Sequence, residues 1–421
     1  MRKITVLLSS NAVAAALIAV GTLLLSRIVD PATFGSYSYA AQIAVAIYPV
    51  LTLRFEQALP LLGKCQTAML QMLLGIVWLA LLASLLFYLA GIVALYFLST
   101  PFSLSAAQAQ LFPIIVLTSL ALALVSIYQS ASLALGNLNG MAIARVMRAI
   151  ALVGGQLSLA MLIGGGAVWL LVADLGASLL QALLLAYGVS AAALLQVLRR
   201  PIRRQLTHLW ILARRHRVFP LITLPHLLVH SALVLLMTTT IGAFYGAAIL
   251  GQYFLMRKLV FGILALFGTA VYQHAISEAA SVGRSEVYLV AKRALIVIGT
   301  VTAISSLALL LVGEQLFLLA AGAEWALAGQ MAIAILPVIL MEPITSTFAF
   351  VPVFLGLQRT AFIAAIIQGA VGVGVMALAG AVGWGVLAAL FATSLSMSFI
   401  MAAYVGWLVL QARRAARGQF S

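Results

Sequence analysis

The residues best placed to do chemistry are charges that fall inside long apolar runs. Arg257 and Lys258 sit about ten residues into one such run, ~14 Å at the helical rise of 1.5 Å per residue. That is close to the middle of a bilayer, where an ionisable side chain costs roughly 2.5–3.5 kcal/mol and needs a partner or a cavity. Adjacent helical residues point ~100° apart, so one of the two is expected to face a lumen and the other to reach an interface. Glu342 lies near the middle of a later run, directly before Pro343 and between Pro337 and Pro352. Proline removes a backbone donor, so a bend is expected around this acid. A carboxylate at a bent intramembrane helix suits a coupling ion; a structural ion pair with Arg257 or Lys258 fits equally well. Arg54, Glu56 and Gln57 close another run, and a spacing of two does not place Arg54 and Glu56 on one helical face. Arg27 ends the first run three residues before Asp30, a spacing that also suits a surface pair. Asp174 is a weaker counterpart of Glu342, and Gln273 is a polar residue late in its run. His226 and His230 share a helical face, but no acid or Cys nearby completes a metal site, so a packed or water-facing role is expected for them.

Taken together the intramembrane charges lean cationic, with Arg257, Lys258, Arg54 and Arg27. Arginine binds phosphate bidentately, so this set favours an anionic cargo. A cationic cargo would call for inward-facing acids and aromatics instead.

The elements that position these residues are membrane helices. Of 421 residues 65% are hydrophobic and only 7% charged, against about 25% charged in a soluble domain. Runs of ~20 apolar residues, enough to cross ~30 Å of hydrocarbon, recur along the chain. Twelve spans are expected at about 5–27, 37–62, 68–98, 109–133, 143–165, 167–197, 218–244, 248–277, 290–313, 328–355, 360–380 and 382–410. Met1-Arg2-Lys3 and the run behind it resemble a signal peptide, but the run is too long and is read as the first helix. The single Cys65 excludes a disulfide framework, and Gly164-Gly165-Gly166 reads as a helix-to-helix turn rather than a phosphate loop.

The net charge of +15 is explained by topology rather than by nucleic acid. With the N-terminus inside, 19 of the 23 lysines and arginines fall in cytoplasmic segments, Arg145 and Arg148 counted among them, and the opposite loops 99–108, 245–247 and 314–327 hold none. Both termini are expected in the cytoplasm. A faint repeat divides the chain: Phe34-Gly35-Ser36-Tyr37 aligns with Leu250-Gly251-Gln252-Tyr253, and Gln57 with Gln273, at an offset of 216. Leu135-Gly136 and Ile143-Ala144 align with Leu355-Gly356 and Ile363-Ala364 at an offset of 220. Each match links helices six spans apart, as in transporters built from two parallel lobes. The expected organisation is a six-helix lobe over 1–197, a basic cytoplasmic linker over 198–217 and a second six-helix lobe with a short basic tail over 218–421.

The stretch Ser26-Arg27-Ile28-Val29-Asp30-Pro31-Ala32-Thr33-Phe34-Gly35-Ser36-Tyr37, with Pro49-Val50-Leu51-Thr52-Leu53-Arg54-Phe55-Glu56-Gln57-Ala58-Leu59-Pro60, resembles the N-terminal signature of the polysaccharide and O-antigen export flippases. These belong to the multidrug/oligosaccharidyl-lipid/polysaccharide exporter superfamily. The resemblance in layout covers the chain; the motif covers about residues 22–62. It implies an all-α integral membrane protein of about twelve helices in two six-helix lobes around a V-shaped central cavity, in a bacterial inner membrane. It also implies transport of undecaprenyl-diphosphate-linked oligosaccharide repeat units to the outer leaflet by alternating access. Arg27, Arg54 and Arg257 occupy helices whose arginines line the cavity or meet the diphosphate in related flippases. The implied partners are that lipid-linked substrate, membrane lipids, and polysaccharide polymerase and chain-length machinery; no nucleic acid is implied. No cofactor is implied beyond a coupling ion, H+ or Na+, that the sequence does not specify. Twelve spans rather than fourteen speak against the peptidoglycan-precursor branch. The absence of an acid in the first helix, which carries only Asn11 between Ile4 and Ser26, speaks against an ion-coupled drug or cation antiporter of the same fold. A major-facilitator transporter lacks support because Leu62-Gly63-Lys64-Cys65-Gln66 stands where its basic loop motif belongs. A membrane enzyme of polysaccharide assembly is disfavoured by short outer loops without paired acids, and a non-transporting scaffold would not need the intramembrane arginines.

Overall fold

A computed structural model describes residues 2–62, 66–98, 106–189, 210–282 and 286–417. They form α1 (Arg2–Ser26), α2 (Pro31–Thr52), a 3-10 helix (Phe55–Leu62), α3 (Gln66–Leu98), α4 (Ala106–Ala134), α5 (Leu138–Ile163) and α6 (Ala167–Tyr187). The helical stretch Leu224–Val282 is two helices, α7 and α8, broken at Gly246, whose φ of 88° favours glycine. Then come α9 (Val287–Ala321), a fragmented α10 (Ala326–Ala334, Leu336–Thr347 and Phe350–Leu355), α11 (Gln358–Val382) and α12 (Val386–Ala416). Among the described residues nine helices are long and apolar enough to cross a membrane, the joined α7 and α8 counting as one. The chain is an all-α, multi-pass membrane protein, the architecture that satisfies every backbone polar group within its own segment.

Several boundaries differ from the sequence expectation, each for a local reason. α2 begins at Pro31 rather than 37, because the Asp30 carboxylate accepts from the Ala32 and Thr33 amides at 2.9 and 3.0 Å and Pro31 supplies a preset first turn. Burial works to raise the pKa of Asp30, but the hydrogen bonds from Thr33 and Ala32 outweigh it and hold the carboxyl below its ordinary value. The cap is therefore intact at neutral pH and lost on acidification through that lowered range. The expected span 37–62 is not one helix: Leu53 and Arg54 take positive φ of 47° and 60°, and the 3-10 helix leaves α2 at 58°. α5 begins at Leu138 rather than 143, capped by Asn137, whose side chain accepts from the Gly140 amide. Arg145 and Arg148, counted above as cytoplasmic, thus lie two to three turns inside α5. α6 ends at Tyr187, and the proposed linker falls outside the described residues up to 209. In α10 the chain breaks at Ile335 and around Phe348–Ala349, ahead of Pro337 and Pro352, while Glu342 and Pro343 lie within the continuous piece Leu336–Thr347. The expected break at the acid is displaced to its two sides.

The chain separates into two compact units, one of Met1–Val29 with Ser36–Leu228 and one of Asp30–Gly35 with Val229–Ser421. In the first, α5 packs on α1 and α6, and α4 on α6 and α3. Leu51, Leu59, Met69, Leu73, Ile76 and Ile127 fill a core between α2, the 3-10 helix, α3 and α4. In the second, α9 packs on α10 and α12, and α11 on α12, around Val287, Ile298, Phe348, Phe350, Val351 and Leu408. Without a water-driven term between lipid-exposed helices, such association rests on close packing.

The repeat acquires a physical cause in the second unit. The segment Asp30–Gly35 lies against the start of α8 backbone to backbone. A Cβ on Gly35 would stand 2.3 Å from the Ala247 carbonyl oxygen, and one on Gly251 only 1.8 Å from that of Pro31. Phe34, fully buried, packs edge-on against buried Trp325 at 5.5 Å between ring centres. The other repeat glycines, Gly136 and Gly356, both take left-handed φ, 69° and 76°, at helix ends.

The crossing predicts that Gly251→Ala lowers the melting temperature of purified protein by several degrees, in line with ~1–3 kcal/mol for overpacking. Gly262→Ala, in the same helix with open space around its Cβ position, leaves it nearly unchanged. Fluorescence-detected thermal unfolding on size exclusion reads both, and equal behaviour of the two variants contradicts the crossing.

Candidate functional site

Three charge pairs inside the spans carry the candidate chemistry. In the first unit, the left-handed step at Leu53–Arg54 turns the chain so that Arg54 and Glu56 meet at 3.2 Å. In a helix a spacing of two separates such side chains, so the pair exists because the helix ends there. Two consecutive non-glycine residues in this region cost of order 1–2 kcal/mol each, a strain that the surrounding packing must offset. The Thr52 hydroxyl steadies the step by accepting from the Arg54 amide at 3.3 Å.

The pair borders a pocket of about 380 Å³ lined also by Tyr48, Gln57, Ser126, Gln129, Ser130 and Met141. Glu56 is 1% exposed and Arg54 16%; Ser126 donates weakly to Glu56 at 3.5 Å. Among the described residues Arg54 Nε and Glu56 Oε2 have no hydrogen-bond partner. The pocket beside the pair also has apolar walls from Leu122, Val125 and Leu133. Gln57, a candidate cavity residue from the sequence, lines the same pocket, while Ser126, Gln129 and Ser130 went unread because neutral polar residues leave little trace in an apolar α4.

In the same unit Arg148 of α5, part-buried, pairs with the largely buried Asp174 of α6 at 3.1 Å. Arg145 donates to Asn11 of α1. Buried Tyr37 and Gln156 lie beside the Arg148–Asp174 pair, and Arg148 Nε, Gln156 Nε2, Ser178 Oγ and Gln181 Oε1 lack partners. Asp174 is therefore part of a polar cluster rather than an isolated acid. Arg148 is the residue that placing α5 too late concealed; its spacing of three from Arg145 on one helical face was the available signal.

In the second unit Arg257 and Glu342 approach to 3.8 Å, so the carboxylate stands within ion-pair range of Arg257. Arg257 also donates to the Tyr253 hydroxyl at 3.2 Å and lies 4.9 Å from the centre of the Phe261 ring. Lys258 points elsewhere on α8, its ammonium 5.8 Å from the ring of Phe34, as the ~100° turn between neighbours requires. Arg27 is exposed at the end of α1, Gln273 is exposed on α8 away from the Arg257–Glu342 pair, and His226 and His230 are both exposed on α7. Among the described residues no group of three or more His, Cys, Asp or Glu gathers as a metal site. The cationic surplus expected from the sequence is thus balanced locally: Arg54, Arg148 and Arg257 each hold a carboxylate.

No protein-family model and no curated protein matches the sequence. The fold is similar to that of a multidrug resistance MATE family transporter of the MOP superfamily in an inward-facing conformation, with TM-score 0.66, 12% identity and coverage of 97% of this chain and 96% of that one. It is similar to the lipid II flippase MurJ in an inward closed conformation, with TM-score 0.66, 15% identity and coverage of 96% and 89%. A third similar structure is a MOP superfamily transporter from Pyrococcus furiosus described as having a binding pocket of reversed polarity, with TM-score 0.61, 12% identity and 99% coverage of both chains. The chain therefore has the fold of MOP superfamily transporters.

Breaking a buried ion pair strands a charge, whereas replacing both partners removes the cost. Asp174→Ala is expected to lower the melting temperature by several degrees, and Arg148→Met with Asp174→Leu to recover most of it. Thermal unfolding of the purified variants measures this, and a double variant as unstable as the single one contradicts the pairing.

Proposed function

We propose that the protein moves lipid-linked oligosaccharide repeat units, carried on a polyprenyl diphosphate such as undecaprenyl diphosphate, from the cytoplasmic to the outer leaflet of a bacterial inner membrane. It would do so for O-antigen or exopolysaccharide synthesis, with both termini in the cytoplasm. The observation that carries this reading is the Arg54 pocket: at a strained backbone step, a guanidinium paired with Glu56 borders a cavity of mixed polar and apolar lining. The likeness of residues 22–62 to the polysaccharide-export signature supports it, as does a fold held in common with a lipid flippase.

In this reading Glu56 is the resident counter-ion of Arg54. A diphosphate offers oxygens for bidentate, doubly charged bonding to the guanidinium, and outcompetes a single carboxylate contact. When the headgroup leaves, Glu56 closes on Arg54 again, so the empty transporter never holds a bare buried cation. Glu342 performs the same service for Arg257, and Gln57, Ser126, Gln129 and Ser130 supply hydrogen bonds to sugar hydroxyls or phosphate oxygens. Lys258 and Arg27 assist electrostatically. The polymerase and chain-length machinery take up the product.

A second reading, an ion-coupled multidrug or cation antiporter of the same fold, draws on Asp174 and Glu342, internal carboxylates that a proton or Na+ could neutralise.

The two readings part in a strain lacking this gene. Arg54→Ala or Arg257→Ala, at wild-type expression, is expected to reduce surface polysaccharide at least about tenfold, the consequence of ~1.4 kcal/mol or more of lost headgroup binding, with lipid-linked repeat units accumulating in the inner leaflet. Normal export by both variants, or restored resistance to cationic drugs without any effect on surface polysaccharide, overturns the flippase reading.

A further inference from the structure

Of the eight acidic residues, Glu56, Asp174, Glu278 and Glu342 are paired with arginines. Asp30 caps α2, and Glu286 and Glu324 stand at helix ends. Glu314 is different. It lies inside α9, is exposed, accepts from Gln330 Nε2 at 3.0 Å, and among the described residues has no Arg, Lys or His in ion-pair range. It stands seven residues before the end of a helix of 35 residues. At 1.5 Å per residue that helix is ~52 Å long, so a hydrocarbon layer of ~30 Å centred on it ends close to Glu314.

Below Glu314 runs a groove of about 970 Å³ between α9, α10 and α12, bordered by Leu310, Ile333, Leu340 and Phe391 and apolar apart from Ser306. The break of α10 at Ile335 opens it, because Pro337 starts a new helical piece there. From Glu314 to Ser306 it follows α9 for ~12 Å. The groove thus has an apolar length and one acceptor-rich end at interface depth. Gln330 turns its amide nitrogen to Glu314, which leaves the Gln330 Oε1 as a second acceptor beside the carboxylate.

We propose that this groove is a binding site for a membrane phospholipid whose headgroup carries a primary ammonium, as in phosphatidylethanolamine. Its acyl chain fills the apolar length, and the ammonium donates to Glu314 and Gln330. Charge complementarity selects this occupant. An anionic headgroup meets a carboxylate with no neighbouring cation, and a quaternary ammonium supplies charge but no N–H for the two acceptors. The site belongs to the second unit alone and does not depend on the identity of the transported cargo.

The test uses the full-length protein purified, delipidated and exchanged into nanodiscs with equal amounts of phosphatidylethanolamine, phosphatidylcholine and phosphatidylglycerol, with retained lipid read by native mass spectrometry. Phosphatidylethanolamine is expected to be retained about fivefold over phosphatidylglycerol, the scale an interfacial ion pair supports, with phosphatidylcholine between them. Glu314→Gln is expected to abolish that preference. Leu340→Trp, which fills the groove without changing charge, is expected to lower retention of all three. Equal retention by the unmodified protein overturns the proposal without recourse to a variant, and so does an unchanged preference in Glu314→Gln.

Discussion

A charge inside hydrocarbon is tolerated only beside a partner or in water, and the interior of this protein is arranged around that constraint. Arg54, Arg148 and Arg257 each reach a carboxylate, and in every case the backbone is shaped to let them meet. α2 stops two residues before Arg54, α5 and α6 run side by side so that Arg148 and Asp174 oppose one another, and α10 keeps Glu342 within an unbroken piece between two breaks. In a protein that is 7% charged, these few pairs constrain the geometry where they occur, while the apolar side chains around them pack by shape.

The pairs also explain how a membrane-protein interior carries cations without collapsing around them. A lone arginine would bind any passing anion or draw water; an arginine holding a weak, incompletely satisfied carboxylate is neutral at rest and still open to exchange. Arg54 shows this most clearly, since its Nε and one oxygen of Glu56 remain without partners and the backbone beneath it is strained. Arg148–Asp174 is the more exposed of the two pairs in its unit, and it sits among the polar side chains of Tyr37, Gln156, Ser178 and Gln181.

Much of the fold was legible from the sequence because hydrophobic run length and proline positions report membrane helices directly. The charges at Arg54, Arg257, Lys258, Glu342 and Asp174 stood out for the same reason. Gly35 and Gly251, singled out by the repeat alignment, mark a close backbone crossing. What the sequence concealed was pairing. A helical wheel separates Arg54 from Glu56, and only the left-handed step at Leu53–Arg54 unites them; that step leaves no mark, since neither residue is glycine. Arg148 was concealed by a boundary, because α5 starts at the cap Asn137 and not at the first long apolar run. The breaks of α10 were anticipated from its prolines but misplaced, because Pro343 is accommodated inside a helical piece while the turns before Pro337 and Pro352 give way.

The central claim is that exchangeable arginine–carboxylate pairs accept an anionic lipid headgroup and carry it across the bilayer. The most direct test is translocation by the purified protein in proteoliposomes, loaded with a short polyprenyl-diphosphate oligosaccharide on the inner leaflet, with appearance of the sugar outside read by lectin binding. The account predicts appearance over the protein-free rate that inorganic pyrophosphate inhibits and Arg54→Ala abolishes. Translocation indifferent to both pyrophosphate and Arg54, or none above the protein-free rate, would contradict it.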